Sequence, residues 1–196
     1  MFEIFERYIT KLVPAITKEQ FSLIRSMCIS KKLNRREMIL TEGEVACYKI
    51  FVAKGLLRNY SIAENGNEYI LRFAAEGMWT TDPESYYSGL PSKYYIDAIE
   101  PSEVIMFSHD NFEILRHRIP PLNTFSEMIV TNNASLIQKR VLMNISGTAE
   151  EKYIDFIETY PNIFNRVPLH MVASYLGLSR ETLTRIRQGL MITTKD

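Results

Sequence analysis

Between Leu169 and Ile186 the order of small, turn-tolerant and apolar residues leaves room for few folds. Two helices crossing through a tight turn need a small residue where they touch, and Ala173 supplies it. They also need a residue that tolerates a left-handed backbone at the turn, and Gly177 supplies that. Val172, Leu176, Leu178, Leu183 and Ile186 recur on the inner faces at helical spacing, and Ser179 is a good N-cap for the second helix. The outer face near that N-terminus is left with Arg180, Glu181, Thr184, Arg185 and Arg187. This is the end that a helix-turn-helix puts into a DNA major groove. A plain helical hairpin shares the small-glycine-apolar pattern, but has no reason to group arginines around one Glu at a helix start.

The net charge of zero would be a poor sign for a DNA binder if it were evenly spread. It is not: from Arg166 to Lys195 the bases Arg166, Arg180, Arg185, Arg187 and Lys195 face the single acid Glu181. Salt screens charge beyond about 8–10 Å, so the local balance governs phosphate attraction. Two cysteines, Cys28 and Cys47, lack the material for a disulfide framework, a zinc site or an iron–sulfur sensor, and His109, His117 and His170 show no metal spacing. No metal is expected. No triad, phosphate loop or metal motif points to an enzyme. No apolar run is long enough for a membrane span and the first residues carry early acids, so a cytoplasmic protein without a membrane partner is expected.

The pattern before the motif is organised in three parts. The first 28 residues read as two helices, with a capping box at Thr17 and Gln20. From Lys31 to Phe107 short strand-like runs, including Tyr48–Ala53, Leu56–Ile62, Glu68–Phe73 and Tyr94–Ile99, alternate with glycine turns. Asn65-Gly66 marks a hairpin, and the spacing suggests an antiparallel roll or barrel. A helix from Asp110 to His117 precedes a long one from Pro121 to about Ile145. On the long helix Leu122, Phe125, Ile129, Asn132, Leu136 and Met143 trace one seam, while Val130, Ile137 and Val141 trace a neighbouring face. The simplest cover for two apolar faces is the protein's own roll on one and a partner's identical helix on the other, giving a two-fold dimer with the first seam at its interface. Asn132 would help to fix register. Gly147 ends this helix, Thr148 and Glu151 form another capping box, Pro161–Arg166 reads as a loop, and Pro168 suits a helix's first turn. The expected units are residues 1–109, 110–146 and 147–196.

The run Leu178-Ser179-Arg180-Glu181-Thr182-Leu183-Thr184-Arg185-Ile186 resembles the recognition helix of the Crp-Fnr family, the bacterial regulators related to the cyclic AMP receptor protein. Thr41–Glu44 and Val52–Gly55 look like the paired glycine turns of that family's cyclic-nucleotide-binding β-roll. The resemblance implies an α+β fold: an N-terminal, jelly-roll-like double-stranded β-roll, a long dimerisation helix and a C-terminal helix-turn-helix domain. Only six residues follow Leu190, so the wing hairpin is expected to be truncated.

The family neutralises a nucleotide phosphate with a Gly-Glu pair and an Arg about ten residues on. By alignment these positions become Thr81-Asp82 and Ser92, with Lys93 one place over, where it points to the opposite side of a strand. Tight cyclic AMP binding is therefore not expected, and no cofactor is certain. Arg58, Arg72 and Lys93 are the available substitutes for the clamp, and Trp79, Tyr86, Tyr87, Tyr94 and Tyr95 either line a pocket for a different effector or are half-buried sheet residues. The expected effector pocket comprises Arg58, Arg72, Trp79, Thr81, Asp82, Ser92, Lys93 and Tyr94.

Arg180, Glu181 and Arg185 are expected to read bases, Arg from guanine and Glu from the cytosine amino group. Ser179, Thr182, Thr184, Arg187 and His170 are expected at phosphates. The partners are then double-stranded DNA carrying an inverted repeat and a second copy of the chain, with RNA polymerase as a further candidate. The competing reading is a ligand-binding or protein-interaction module whose helix-turn-helix is a vestige.

Overall fold

The computed structural model describes the backbone of residues 1–193 and the side chains of residues 1–190. α1 (Phe2–Leu12) and α2 (Lys18–Ser26) open the chain. The Thr17–Gln20 capping box is formed, each side chain meeting the other residue's backbone N–H. The strands that follow are β1 (Ile29–Leu33), β2 (Met38–Leu40), β3 (Tyr48–Lys54), β4 (Leu57–Ile62), β5 (Glu68–Ala74), β6 (Trp79–Thr80), β7 (Tyr95–Ala98) and β8 (Ser102–Ser108). They build two antiparallel sheets, in the orders β1-β8-β3-β6 and β2-β7-β4-β5. These are the two layers of the β-roll. The hairpin at Gly66 joins β4 to β5, with Asn65 Oδ1 accepting from Asn67 N–H.

Side-chain alternation distributes each strand between two cores. On β3, Ile50 and Val52 face the space between the sheets, beside Leu57, Ile96 and Val104. Phe51 and Ala53 face outward, where α1, α2 and the helices after β8 cover the first sheet. That outer core is aromatic: Phe5, Phe51, Trp79 and Phe107 meet with centroids 5.1–6.0 Å apart, a separation at which tilted and edge-on rings attract. At Gly55, φ is +96° and a Cβ would stand 2.2 Å from Ser102 Oγ and 2.7 Å from its Cα. Only glycine fits between β3 and β4.

One short helix interrupts the strands directly after Thr81-Asp82, the pair aligned with the family's Gly-Glu. α3 (Pro83–Ser88) starts because Asp82 caps it, accepting from Glu84 and Ser85 N–H, and Pro83 sits at its first position. After β8 come α4 (His109–Arg118) and the 26-residue α5 (Pro121–Ser146). The C-terminal unit holds α6 (Ala149–Thr159), α7 (Pro161–Phe164), α8 (Leu169–Leu176) and α9 (Arg180–Thr193). α7 corrects the expected loop: Pro161 starts a single helical turn, and the Phe164 ring at its end packs edge-on to Tyr153. The expected truncation of the wing concerns a stretch that, beyond Thr193, lies outside the described residues.

Two residues expected to face a second copy do not. Leu122 and Phe125 are each 3% exposed and belong to the core between α4, α5 and the first sheet. Ile129 is partly buried against the same core. The apolar surface that α5 leaves uncovered is mainly the neighbouring face, Val130, Ile137 and Val141, continued by Leu142 and Ile145, with Leu136 of the expected seam exposed beside it. Pro121 starts α5 directly after α4, so its first two turns pack on the protein's own roll, and further along Asn133 and Arg140 still reach β5.

Candidate functional site

The turn between α8 and α9 is built as its residues dictate. Gly177 takes a left-handed conformation at φ +66°, Leu178 N–H returns to Ala173 C=O, and Ala173 is buried. Val172, Leu176 and Leu183 close the inner face with Tyr153 and Phe156. Ser179 caps α9 by accepting from Thr182 N–H. On the outside Arg180, Glu181 and Arg185 are exposed. Their side chains form no ion pair among the described residues, so one acidic and two basic heads stand together at an open helix start.

The residues expected at phosphates divide. His170 is exposed. Ser179 and Thr182 share a hydroxyl–hydroxyl bond of 2.9 Å, which uses one of their two protons. The Thr184 hydroxyl donates to Arg180 C=O at 2.9 Å and has no proton left for a phosphate. Arg187 stacks over the Phe164 ring, 5.6 Å from its centroid. Thr184 and Arg187 are thus engaged within their own unit.

The expected effector pocket is rearranged. Arg58 is buried in a bidentate pair with Asp97, at 2.7 and 2.9 Å, with Glu68 as a further partner and Tyr60 beneath it at 4.0 Å. Burial works against its charge, but the two carboxylates outweigh burial and raise its pKa. With its charge already balanced, it is not a spare clamp and lines neither cavity of the cleft. Lys93 is exposed and also lines neither. Ser92 is buried, but its hydroxyl donates to Asp82 Oδ2 at 2.7 Å, closing the place where a clamp would stand. Tyr95 stacks on Tyr60, and Tyr86 packs beside His109.

The remaining residues lie along a cleft between the roll and α5. A cavity of about 110 Å³ is walled by Lys49, Trp79, Tyr87, Phe112, Phe125 and Ile129, and Arg72, Thr81 and Asn133 also line it. A second, of about 220 Å³, shares those last three and adds Asp82, Tyr94, Arg140, Tyr160 and Tyr175. Arg72 Nη2 donates to Asn133 Oδ1 at 2.8 Å where the two meet. No carboxylate among the described residues pairs with Arg72, and desolvation holds its pKa below the ordinary guanidinium value. Lys49 is likewise held without an acid: its Nζ donates to Tyr87 Oη at 2.8 Å and lies 4.3 Å from the Phe112 centroid. Sequence reading missed Lys49, Asn133 and Arg140. The signal for the last two was the stripe Phe125, Ile129, Asn133, Arg140, which continues the buried face of α5 in polar residues.

Residues 30–118 match the cyclic nucleotide-binding domain family. No curated protein matches the chain in sequence. Among solved structures, the chain is similar to FixK2 from Bradyrhizobium japonicum, with 19% identity over 85% of this chain and 86% of that one and a TM-score of 0.74. It is also similar to a putative transcriptional regulator of the crp/fnr family from Eubacterium rectale, at 14% identity over 92% and 86% and TM-score 0.69. A third is CLP of Xanthomonas campestris, described as a c-di-GMP responsive global regulator, at 11% identity over 91% and 93% and TM-score 0.70.

Proposed function

We propose that this chain, which carries a cyclic nucleotide-binding domain and has the fold of Crp/Fnr regulators, is a sequence-specific, DNA-binding transcription regulator. The observation that carries this reading is the open start of α9, where Arg180, Glu181 and Arg185 are exposed and unpaired beside a correctly capped turn. Arg pairs bidentately with guanine O6 and N7, and Glu accepts from the cytosine amino group. His170 and the free hydroxyl proton of the Ser179–Thr182 pair supply phosphate contacts that orient the helix.

The regulator works as a homodimer joined through the exposed face of α5. A two-fold pair presents two α9 helices about one DNA turn, ~34 Å, apart, so the target is an inverted repeat. The effector that controls it binds in the cleft under α5 and is not cyclic AMP, because Ser92 and Asp82 satisfy one another where a phosphate clamp is needed.

Binding selection on random duplexes tests the base-reading roles. Wild type should return an inverted repeat. Arg180→Ala and Arg185→Ala should each lose about 1–3 kcal/mol and relax preference at one base pair, whereas His170→Ala should weaken all sequences alike. Wild-type protein that selects no motif, with unaltered nonspecific binding by the double Arg variant, would instead support a vestigial motif on a ligand-binding or interaction module.

A further inference from the structure

The cleft under α5 is cationic. Its first cavity is lined by Lys49 and Arg72 and, among the described residues, by no acid. Its second adds Arg140, and the one acid there, Asp82, already accepts from the Ser92 hydroxyl and from two backbone N–H groups at the start of α3. A cation withdrawn from water without a counter-charge is costly, and the ordinary remedy is a paired anion. Arg58 shows that remedy within this roll, balanced by Asp97 and Glu68. Arg72, at the position that faces α5, has only a neutral amide.

Two further groups lack partners at the same place. Asn133 Oδ1 accepts from Arg72, which assigns the amide orientation and leaves the NH2 group free to donate. The Trp79 indole N–H is buried with no acceptor among the described residues. Beyond these donors Trp79, Phe112, Phe125 and Ile129 give the wall flat apolar sides, beside Lys49 and the polar Thr80, Thr81, Tyr87 and Ser126. A dry apolar cavity near 150 Å³ is enough for a benzene ring; the chamber of about 110 Å³ alone falls short of this, but with the adjoining one of about 220 Å³ the cleft has room for one ring with a short polar arm.

We propose that this cleft binds a small organic carboxylate bearing a single aromatic ring, its carboxylate on the Arg72 guanidinium and the Asn133 amide and its ring among Trp79, Phe112 and Phe125. The inference rests on the reading of the cleft as the effector site and names the chemistry of that effector. Arg72 supplies charge and a planar fork matched to a carboxylate. The aromatic walls supply the apolar contact that a free phosphate or acetate cannot use.

Trp79 is the chain's single tryptophan, so its fluorescence reports this cavity without labelling. The full-length protein is titrated with benzoate and phenylacetate, with their uncharged amides benzamide and phenylacetamide, and with cyclic AMP, by Trp79 fluorescence and calorimetry. At least one acid should bind saturably, and its amide should bind about tenfold more weakly or not at all, a difference of about 1.4 kcal/mol. Arg72→Gln should remove the preference for the acid while leaving the amide unaffected, Arg72→Lys should restore part of it, and Asn133→Ala should weaken the acid by a few-fold. Circular dichroism confirms that each variant is folded. Equal binding of acid and amide, an Arg72→Gln protein that binds the acid as wild type does, tighter binding of cyclic AMP than of either acid, or no saturable signal from either acid would each overturn the proposal. The titrations contain no DNA. Acid binding by a protein that selects no DNA motif sinks the regulator reading alone, and a selected motif without acid binding sinks the ligand assignment alone.

Discussion

Arg166 reaches from the C-terminal unit to two acids of the roll. It donates to both oxygens of Glu76 at 2.8 and 2.9 Å, and to Glu100 at 2.5 Å. Burial alone would raise the Glu76 pKa, but Arg166 and the Gly55 N–H hold it below the ordinary carboxylate value. The sign follows: a depressed folded value means that the contact stabilises fully above about pH 4.3, and that this is lost as pH falls through the folded value. Glu76→Gln should therefore lower Tm by about 1–3 °C near neutral pH, a modest effect because the side chain is partly exposed. The gap should close in acid. Thermal scans of both proteins across pH check this, and a gap that widened toward acid would contradict it. Residue-scale reading of the sequence found Gly177, Ser179 and the capping boxes because each is fixed by its neighbours in the chain. It misplaced Arg58, because the Asp97 and Glu68 that balance it come from other strands and leave no local trace.

At the scale of elements, α5 shows how far periodicity reaches. A helix pattern marks which residues share a face, and both faces were legible as Leu122-Phe125-Ile129 and Val130-Ile137-Val141. It does not say which face meets the protein's own roll, since either is apolar enough. The structure decides: the start of the first, Leu122 and Phe125, is in the core, while Asn132 and Leu136 further along that seam are exposed, and Ile137, Leu142 and Ile145 are 61, 65 and 80% exposed. Burying that second face against a partner helix would remove the largest run of apolar surface that α5 shows to solvent. Ile137→Asp with Val141→Asp should thus weaken the dimer by about 2 kcal/mol or more, some thirtyfold, without changing the fold. Leu122→Ala should instead cost about 2–5 kcal/mol of stability through the cavity left in the first core. Sedimentation equilibrium and chemical unfolding separate the two. A wild-type protein that is monomeric at every accessible concentration removes the dimer from the proposal.

The whole molecule is held together across the break at Gly147 by a contact that no sequence pattern announces. β5 is the edge strand of its sheet, and α8 covers that edge. The Ser174 hydroxyl donates to Glu68 C=O at 2.7 Å and accepts from Ile70 N–H at 3.0 Å, taking the place of a missing strand neighbour. Arg140 of α5 ties the junction together, with N–H bonds to the carbonyls of Ile70, Leu71 and Tyr175 and its guanidinium 3.9 Å from the Tyr175 ring centroid. Phe73 of the roll meets Tyr175 and Phe156 of the C-terminal unit below it. Separations in sequence of about 35 to 106 residues between these partners explain why no local signal foretold the contact. The same Arg140 and Tyr175 line the larger cavity, so the wall of the cleft and the seat of the helix-turn-helix are one structure. Arg140→Ala removes three bonds at the junction, but leaves the aromatic core of each unit in place. It should loosen the docking without unfolding either part. Amide exchange at Ile70, whose N–H points to Ser174, should rise about tenfold or more, since its protection then reports local opening and not global unfolding. Exchange in β3 and β8, the central strands of the other sheet, should stay as in wild type. If Ile70 and the central strands changed together, the junction would be part of a single cooperative unit and not a separable contact between two parts.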